Sequence, residues 1–217
     1  MLAPSLNLLH SYCDEYDVSA VAQMRAAMNS NIQMQRGIKL SFLPFFLKAA
    51  SLALTEYPVL NSSLQNENTE LRIHGEHNIG VAMDTPRGLV VPCVKGVAQR
   101  SIVDIAAELQ RLQIAGAEGK LGEADLTGTT FSLSNIGSIG GTYAAPVINP
   151  PQVAIGAIGK LQELPRFDEE GNIDAVKIMN FSWAADHRVV DGAMMARFSN
   201  QMKAYIEQPY SMLGNLR

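Results

Sequence analysis

The chain has 217 residues, 47% of them hydrophobic and 18% charged, with a net charge of −4 at pH 7. This composition suits a globular fold with a substantial core, while an acidic balance without a basic, aromatic-studded face argues against a nucleic-acid partner. No run of about 18 apolar residues occurs, which argues against a membrane span; the longest apolar stretch, 42–54, is broken by Pro44, Lys48 and Ser51.

Met1 to Leu9 carries no charge and shows neither a secretory nor a transit pattern. Residues 1–16 are therefore expected to form an N-terminal arm that packs on something else. A first helix is expected after Asp17, an N-cap candidate, through Val21, Met24, Arg25 and Met28. Ser41 can cap a second helix, with Pro44 in its first turn, ending at Tyr57 before Pro58. Leu71–His74 and Asn78–Met83 read as strands. Leu89–Val94 reads as a third, and Pro92 inside it predicts an edge or a bulge. Ser101-Ile102-Val103-Asp104 resembles a capping box opening a helix to about Ala117. Thr129–Leu133 is a short strand, and Gly137–Pro151, rich in Gly and Pro, is a loop. Val153–Leu161 and Ala175–Trp183 read as buried strands of one sheet, joined through 168–172, and a last helix spans Gly192–Glu207. Strands mixed with four helices, without strict alternation, predict an α/β sandwich with a mixed sheet.

The stretch from Asp186 to Gly192 (Asp-His-Arg-Val-Val-Asp-Gly) carries the strongest chemical signal. It places His187 at the end of a buried strand, where an imidazole can be held rigidly and partly dry as a general base. Asp191 can orient the local network or neutralise an arginine. Ser134 closes a strand ahead of a glycine-rich turn, where a hydroxyl can donate to a developing oxyanion; on its own, a bland turn is the commoner reading. No G-x-S-x-G elbow, P-loop, G-x-G-x-x-G or HExxH is present. His74 and His77 read as a solvated turn without further ligands, and nothing local assigns His10 a role. Cys13 and Cys93 match no metal spacing and read as reduced structural thiols, so no metal site is expected.

The 186–192 signature resembles that of the dihydrolipoamide acyltransferases, the core subunits of 2-oxoacid dehydrogenase complexes, and shares its His-x-x-x-Asp-Gly logic with chloramphenicol acetyltransferase. The resemblance extends through the segments beginning His10-Ser-Tyr-Cys, Gly37-Ile-Lys-Leu-Ser, His77-Asn-Ile-Gly, Asp125-Leu-Thr-Gly, Leu133-Ser-Asn-Ile-Gly and Pro150-Pro-Gln-Val, in family order over about residues 10–217. Their wording is most similar to the branched-chain branch, with the pyruvate and 2-oxoglutarate branches as competitors.

The resemblance implies a chloramphenicol acetyltransferase-like two-layer sandwich and transfer of an acyl group between dihydrolipoamide and coenzyme A. His187 would be the base, Ser134 the oxyanion donor and Asp191 a structural partner, through an arginine. Coenzyme A contacts would fall on Arg25, Ser41, Asp84, Gln113, Ser134, Asn135, Gly159 and Leu161. The resemblance further implies a trimer in which His187 faces Ser134 of a neighbour, and a core of 24 chains, or of 60 in some pyruvate members. Residues 1–217 would be a single catalytic core domain, with lipoyl and peripheral-subunit-binding domains absent and the lipoyl group carried elsewhere. It would lie in the mitochondrial matrix of a eukaryote or the cytoplasm of a bacterium. The alternatives are a non-catalytic core homologue and an acetyltransferase acting on a small hydroxyl acceptor.

Overall fold

The computed structural model describes residues 9–66, 69–86 and 88–215. In chain order the elements are β1 (Leu9–Asp17), α1 (Ser19–Arg36), α2 (Leu43–Glu56), β2 (Ser62–Gln65), β3 (Glu70–Ile73), β4 (Ile79–Thr85), β5 (Gly88–Val90) and β6 (Cys93–Val94). They continue with α3 (Ile102–Ala117), α4 (Glu123–Leu126), β7 (Phe131–Asn135), β8 (Ala154–Ile158), β9 (Gln162–Phe167), β10 (Ile173–Asp186) and α5 (Gly192–Glu207).

The sheet runs β1-β10-β8-β7-β4-β5, with β9 paired to β10 and β6 to β4, while β2 and β3 form a separate hairpin. The pairs β4–β7 and β7–β8 are parallel and the others antiparallel, so the sheet is mixed as expected. β10 is its longest strand. Its exposed first part forms the hairpin with β9, and its last nine residues are buried between β1 and β8.

The helices form a second layer: α2 packs on α3 and α5, α5 on β1, and α3 on β4. α2 is apolar on nearly every side and accordingly buried, from Leu43 to Leu54. In α5 the buried positions Met195, Phe198, Ser199, Met202, Tyr205 and Ile206 repeat at helical spacing and close over Trp183 and Phe131. Two polar side chains stitch the layers together. The buried Tyr16 hydroxyl lies 2.8 Å from Ser199 Oγ, and Trp183 Nε1 donates to the same oxygen at 3.2 Å.

Several expectations hold. Ser101 and Asp104 make the reciprocal capping box of α3. Pro92 splits the expected 89–94 strand into β5 and β6, both paired with β4. Others need correction. Residues 9–16 of the expected arm are not an arm but most of β1, in register with β10 from Leu9↔Asp186 to Asp17↔Ile178; the rest of the arm, 1–8, lies outside the described residues. Asp17 accepts the Ser19 amide at 2.8 Å, yet Val18 occupies the cap position of α1. Ser41 does not cap α2, whose cap position is Phe42 without a side-chain bond; Pro44 needs no amide partner in the first turn. The 168–172 turn joins β10 to β9, a strand absent from the sequence reading. His77 is not in a solvated turn: it is buried, its Nδ1 2.8 Å from Ser51 Oγ. His74 Nε2 lies 2.9 Å from Ser63 Oγ. Burial lowers the pKa of both rings, helped at His77 by Lys48 and at His74 by Arg72.

Candidate active site

Ser134 lies on β7, opposite Ala82 of β4 and Ala157 of β8, at the end where β7 gives way to the glycine-rich turn. It is half-buried, and its hydroxyl has no hydrogen-bond partner among the described residues. Ser134 and Asn135 open onto a cleft of about 380 Å³ that Asp84 and Gln113 also line, with Val81, Met83 and Ile139 as apolar wall. A second cleft of about 310 Å³ is lined by Arg25, Ser41 and again Gln113. Gln113 lines both, so the two clefts are neighbours, and six of the eight expected ligand positions lie along the track they outline.

The Arg25 end of the track suits an anion. The guanidinium lies over the Phe42 ring, 4.5 Å from its centroid, which fixes the cation without neutralising it. Its Nε is buried with no partner among the described residues, an arrangement that costs free energy until an acceptor arrives. Lys39 lines the same cleft. The sequence reading passed over it, although a second cation in the Gly37-Ile-Lys-Leu-Ser segment was a signal for it.

Gly159 and Leu161 stand apart. Gly159 lines neither cleft; it is buried where a Cβ would lie 2.1 Å from Thr142 O. A Cβ on Gly137 would in turn lie 2.2 Å from Gly159 O. Two glycines thus let the loop after β7 press directly on the end of β8. Leu161 is exposed just beyond.

His187 follows β10 in a turn. It is exposed in the single chain rather than held in a dry recess, because the strand is buried only up to Asp186. Asp186 and Arg188 brace the turn from either side. The Asp186 carboxylate accepts from the Arg188 amide at 3.0 Å, from its Nε at 2.9 Å and from its Nη2. This fork holds the Asp186 carboxyl below its usual pKa. Arg188 is thus committed to Asp186, and no arginine bonds Asp191 among the described residues. Asp191 instead caps α5, accepting the Met194 amide at 2.7 Å. His10, delivered by β1, lies edge-on to His187 with ring centroids 5.2 Å apart.

His187 and Ser134 do not meet within one chain. Ser134 is level with Ala157, and Ala157 with Ser182 of β10. His187 is five residues beyond Ser182 and two strands across, a separation of roughly 15–20 Å at strand spacings. One reacting carbonyl must be about 3 Å from both base and oxyanion donor. A site using both is therefore completed by a second copy.

A mixed sheet under one helical layer, with a histidine turn at one sheet end and a long cleft leading to a serine at the other, defines the chloramphenicol acetyltransferase-like class. Comparison bears this out for the fold: chloramphenicol acetyltransferase itself superposes with a TM-score of 0.65 at 14% identity, covering 92% of this chain and 89% of that one. Residues 5–214 match the family described as 2-oxoacid dehydrogenases acyltransferase (catalytic domain), and the chain belongs to that family. The mitochondrial lipoamide acyltransferase component of the branched-chain alpha-keto acid dehydrogenase complex of Mus musculus is 54% identical over 217 residues, all of this chain and 45% of that protein. The Caenorhabditis elegans counterpart is 56% identical over 218 residues, 48% of its length. The chain thus spans about half the length of the curated relatives it matches. Among solved structures, the cubic core of a pyruvate dehydrogenase multienzyme complex superposes with a TM-score of 0.91 at 32% identity, covering 96% of this chain and 85% of that one.

Proposed function

We propose that this chain transfers an acyl group, branched in preference to acetyl or succinyl, between dihydrolipoamide and coenzyme A. The observation that carries this reading is the track from Arg25 and Ser41 through Gln113 to Asp84, Asn135 and Ser134. It suits a long ligand with an anion at one end and a reacting sulfur at the other. The nucleotide phosphate of coenzyme A would sit by Arg25, with its thiol at Ser134.

His187 of a neighbouring copy takes the proton from the attacking thiol, because a thiol of pKa about 8.5 is largely protonated near pH 7. The thiolate attacks the thioester carbonyl, and the Ser134 hydroxyl donates to the oxygen as it becomes an oxyanion. Collapse breaks the old carbon–sulfur bond, and His187 returns its proton to the leaving thiolate. Support comes from the Azotobacter vinelandii dihydrolipoamide acetyltransferase, 31% identical with a TM-score of 0.91, where a serine, a histidine and an asparagine have been investigated for roles in catalysis. There the serine precedes the histidine by about fifty positions and the asparagine follows it by four; here Ser134 and Asp191 stand in the same order around His187.

The reading includes the trimer that the family resemblance implies, which lets base and oxyanion donor come from different copies, and assembly of trimers into a 24-chain cubic core like that of the pyruvate complex. The acyl group would arrive on a lipoyl group carried by a separate domain, and a mitochondrial matrix location follows from the relatives' names. The test is transfer from isobutyryl-, acetyl- and succinyl-coenzyme A to free dihydrolipoamide, with His187→Ala alongside. Preference for the branched donor, lost in the variant, is expected. Preference for acetyl or succinyl would reassign the complex, and no transfer from any donor by an assembled sample would overturn the reading.

A further inference from the structure

We infer that His10 is a positioning residue for His187. The inference rests on the reading of His187 as the base. His187 sits in an exposed turn and makes no hydrogen bond among the described residues, so no polar group among them fixes its ring. The contact recorded for its ring is with His10, at 5.2 Å between centroids and 68° between planes. That is the edge-to-face arrangement in which the positive rim of one ring meets the negative face of the other.

Three features of the chain deliver this contact. Pairing of β1 with β10 places His10 opposite Ala185, two residues before His187. Asp191 starts α5 by capping it, bringing Gly192 into the first turn. Gly192 then lies directly against the His10 ring: a Cβ there would come within 3.1 Å of Nε2 and 3.3 Å of Cε1. The His10 ring is therefore wedged between Gly192 and His187. The final glycine of the 186–192 signature acquires a physical reason, since a side chain at 192 forces the His10 ring to give by a few tenths of an ångström. A base must be aligned with the proton it removes, and misplacement by an ångström is felt in turnover. A ring packed edge-on against His187 supplies this alignment without touching substrate.

The test compares the wild-type assembly with His10→Ala, His10→Phe, Gly192→Ala and His187→Ala, measuring kcat and KM for transfer from isobutyryl-coenzyme A to dihydrolipoamide. His10→Ala is expected to lower kcat by about tenfold with KM for the coenzyme A substrate unchanged. His10→Phe keeps a ring without titratable nitrogens and is expected to stay within about twofold of wild type. Gly192→Ala is expected to fall between them, and it carries the same test if His10→Ala does not assemble. A purely structural role would lower the melting temperature and leave kcat of the assembled protein where it was. Unchanged kcat in His10→Ala, or a His10→Phe as slow as His10→Ala, overturns the inference while an inactive His187→Ala leaves the underlying reading standing. Full turnover in His187→Ala overturns both.

Discussion

Gly137→Ala puts a large strain beside the candidate site for a small chemical change. The new methyl carbon would lie 2.2 Å from Gly159 O, 2.4 Å from Gly159 C and 2.6 Å from Lys160 N, all backbone atoms. Comfortable separation for such atoms is about 3.5 Å, so the two segments must part by about 1 Å. The β8 side cannot yield easily, because the Gly159 amide is bonded to Asn180 O of β10 at 2.8 Å. The displacement falls instead on the turn that begins at Ile136, next to Asn135 and Ser134. Overpacking of this kind costs about 1–3 kcal/mol of stability, and an ångström of misplacement at a reacting group costs about 10²-fold in rate. The assay is kcat for acyl transfer in assembled protein, with Gly75→Ala as control, since a Cβ there meets nothing within 4 Å. A Gly137→Ala protein within twofold of wild type would refute the argument that this contact sets the Ser134 strand end.

Ser134→Ala is expected to lower kcat by about 10²–10³-fold with the fold intact; a loss below about threefold would count against the oxyanion role. Tyr16→Phe removes the hydroxyl that meets Ser199 in the core and is expected to cost about 1–2 kcal/mol in denaturant unfolding, with kcat unaffected. His77 is buried with its pKa held below the ordinary imidazole value by desolvation and then by Lys48. The unfolded chain therefore binds more protons than the folded one just below pH ~6.5, and stability must fall as pH drops through that window. Melting temperatures between pH 7.5 and 5.5 should show a shallower fall in His77→Gln than in wild type; parallel curves would remove His77 from the account.

Where local chemistry decides, the sequence was legible. Ser101 and Asp104 announce the α3 cap because both halves of the reciprocal bond lie within four residues. Pro92 announces the break between β5 and β6 because it has no amide to donate. What escaped depended on choices between distant or competing partners. Arg188 lies two residues from Asp186 and three from Asp191, and the spacing alone does not say which it clamps; in the tight turn it bonds Asp186. His77 looks like a turn residue until α2 brings Ser51 over it. β9 carries Pro165 and two charges, Glu163 and Arg166, and only the long β10 makes it a strand. Of the expected ligand positions, six line the track, while Gly159 packs closely against Thr142 outside both clefts. The separation of His187 from Ser134 was beyond sequence, since it follows from sheet order and register.

The central claim, that each site joins His187 of one copy to Ser134 of another, is tested most directly by mixing two inactive variants. Co-expressed in equal amounts, His187→Ala and Ser134→Ala chains assembling at random into cyclic trimers form sites with both groups intact at about a quarter of interfaces. Recovery of about a quarter of wild-type turnover from two individually inactive proteins is the expected result. Mixed assemblies as inactive as their parents would contradict the claim and return both residues to a single chain.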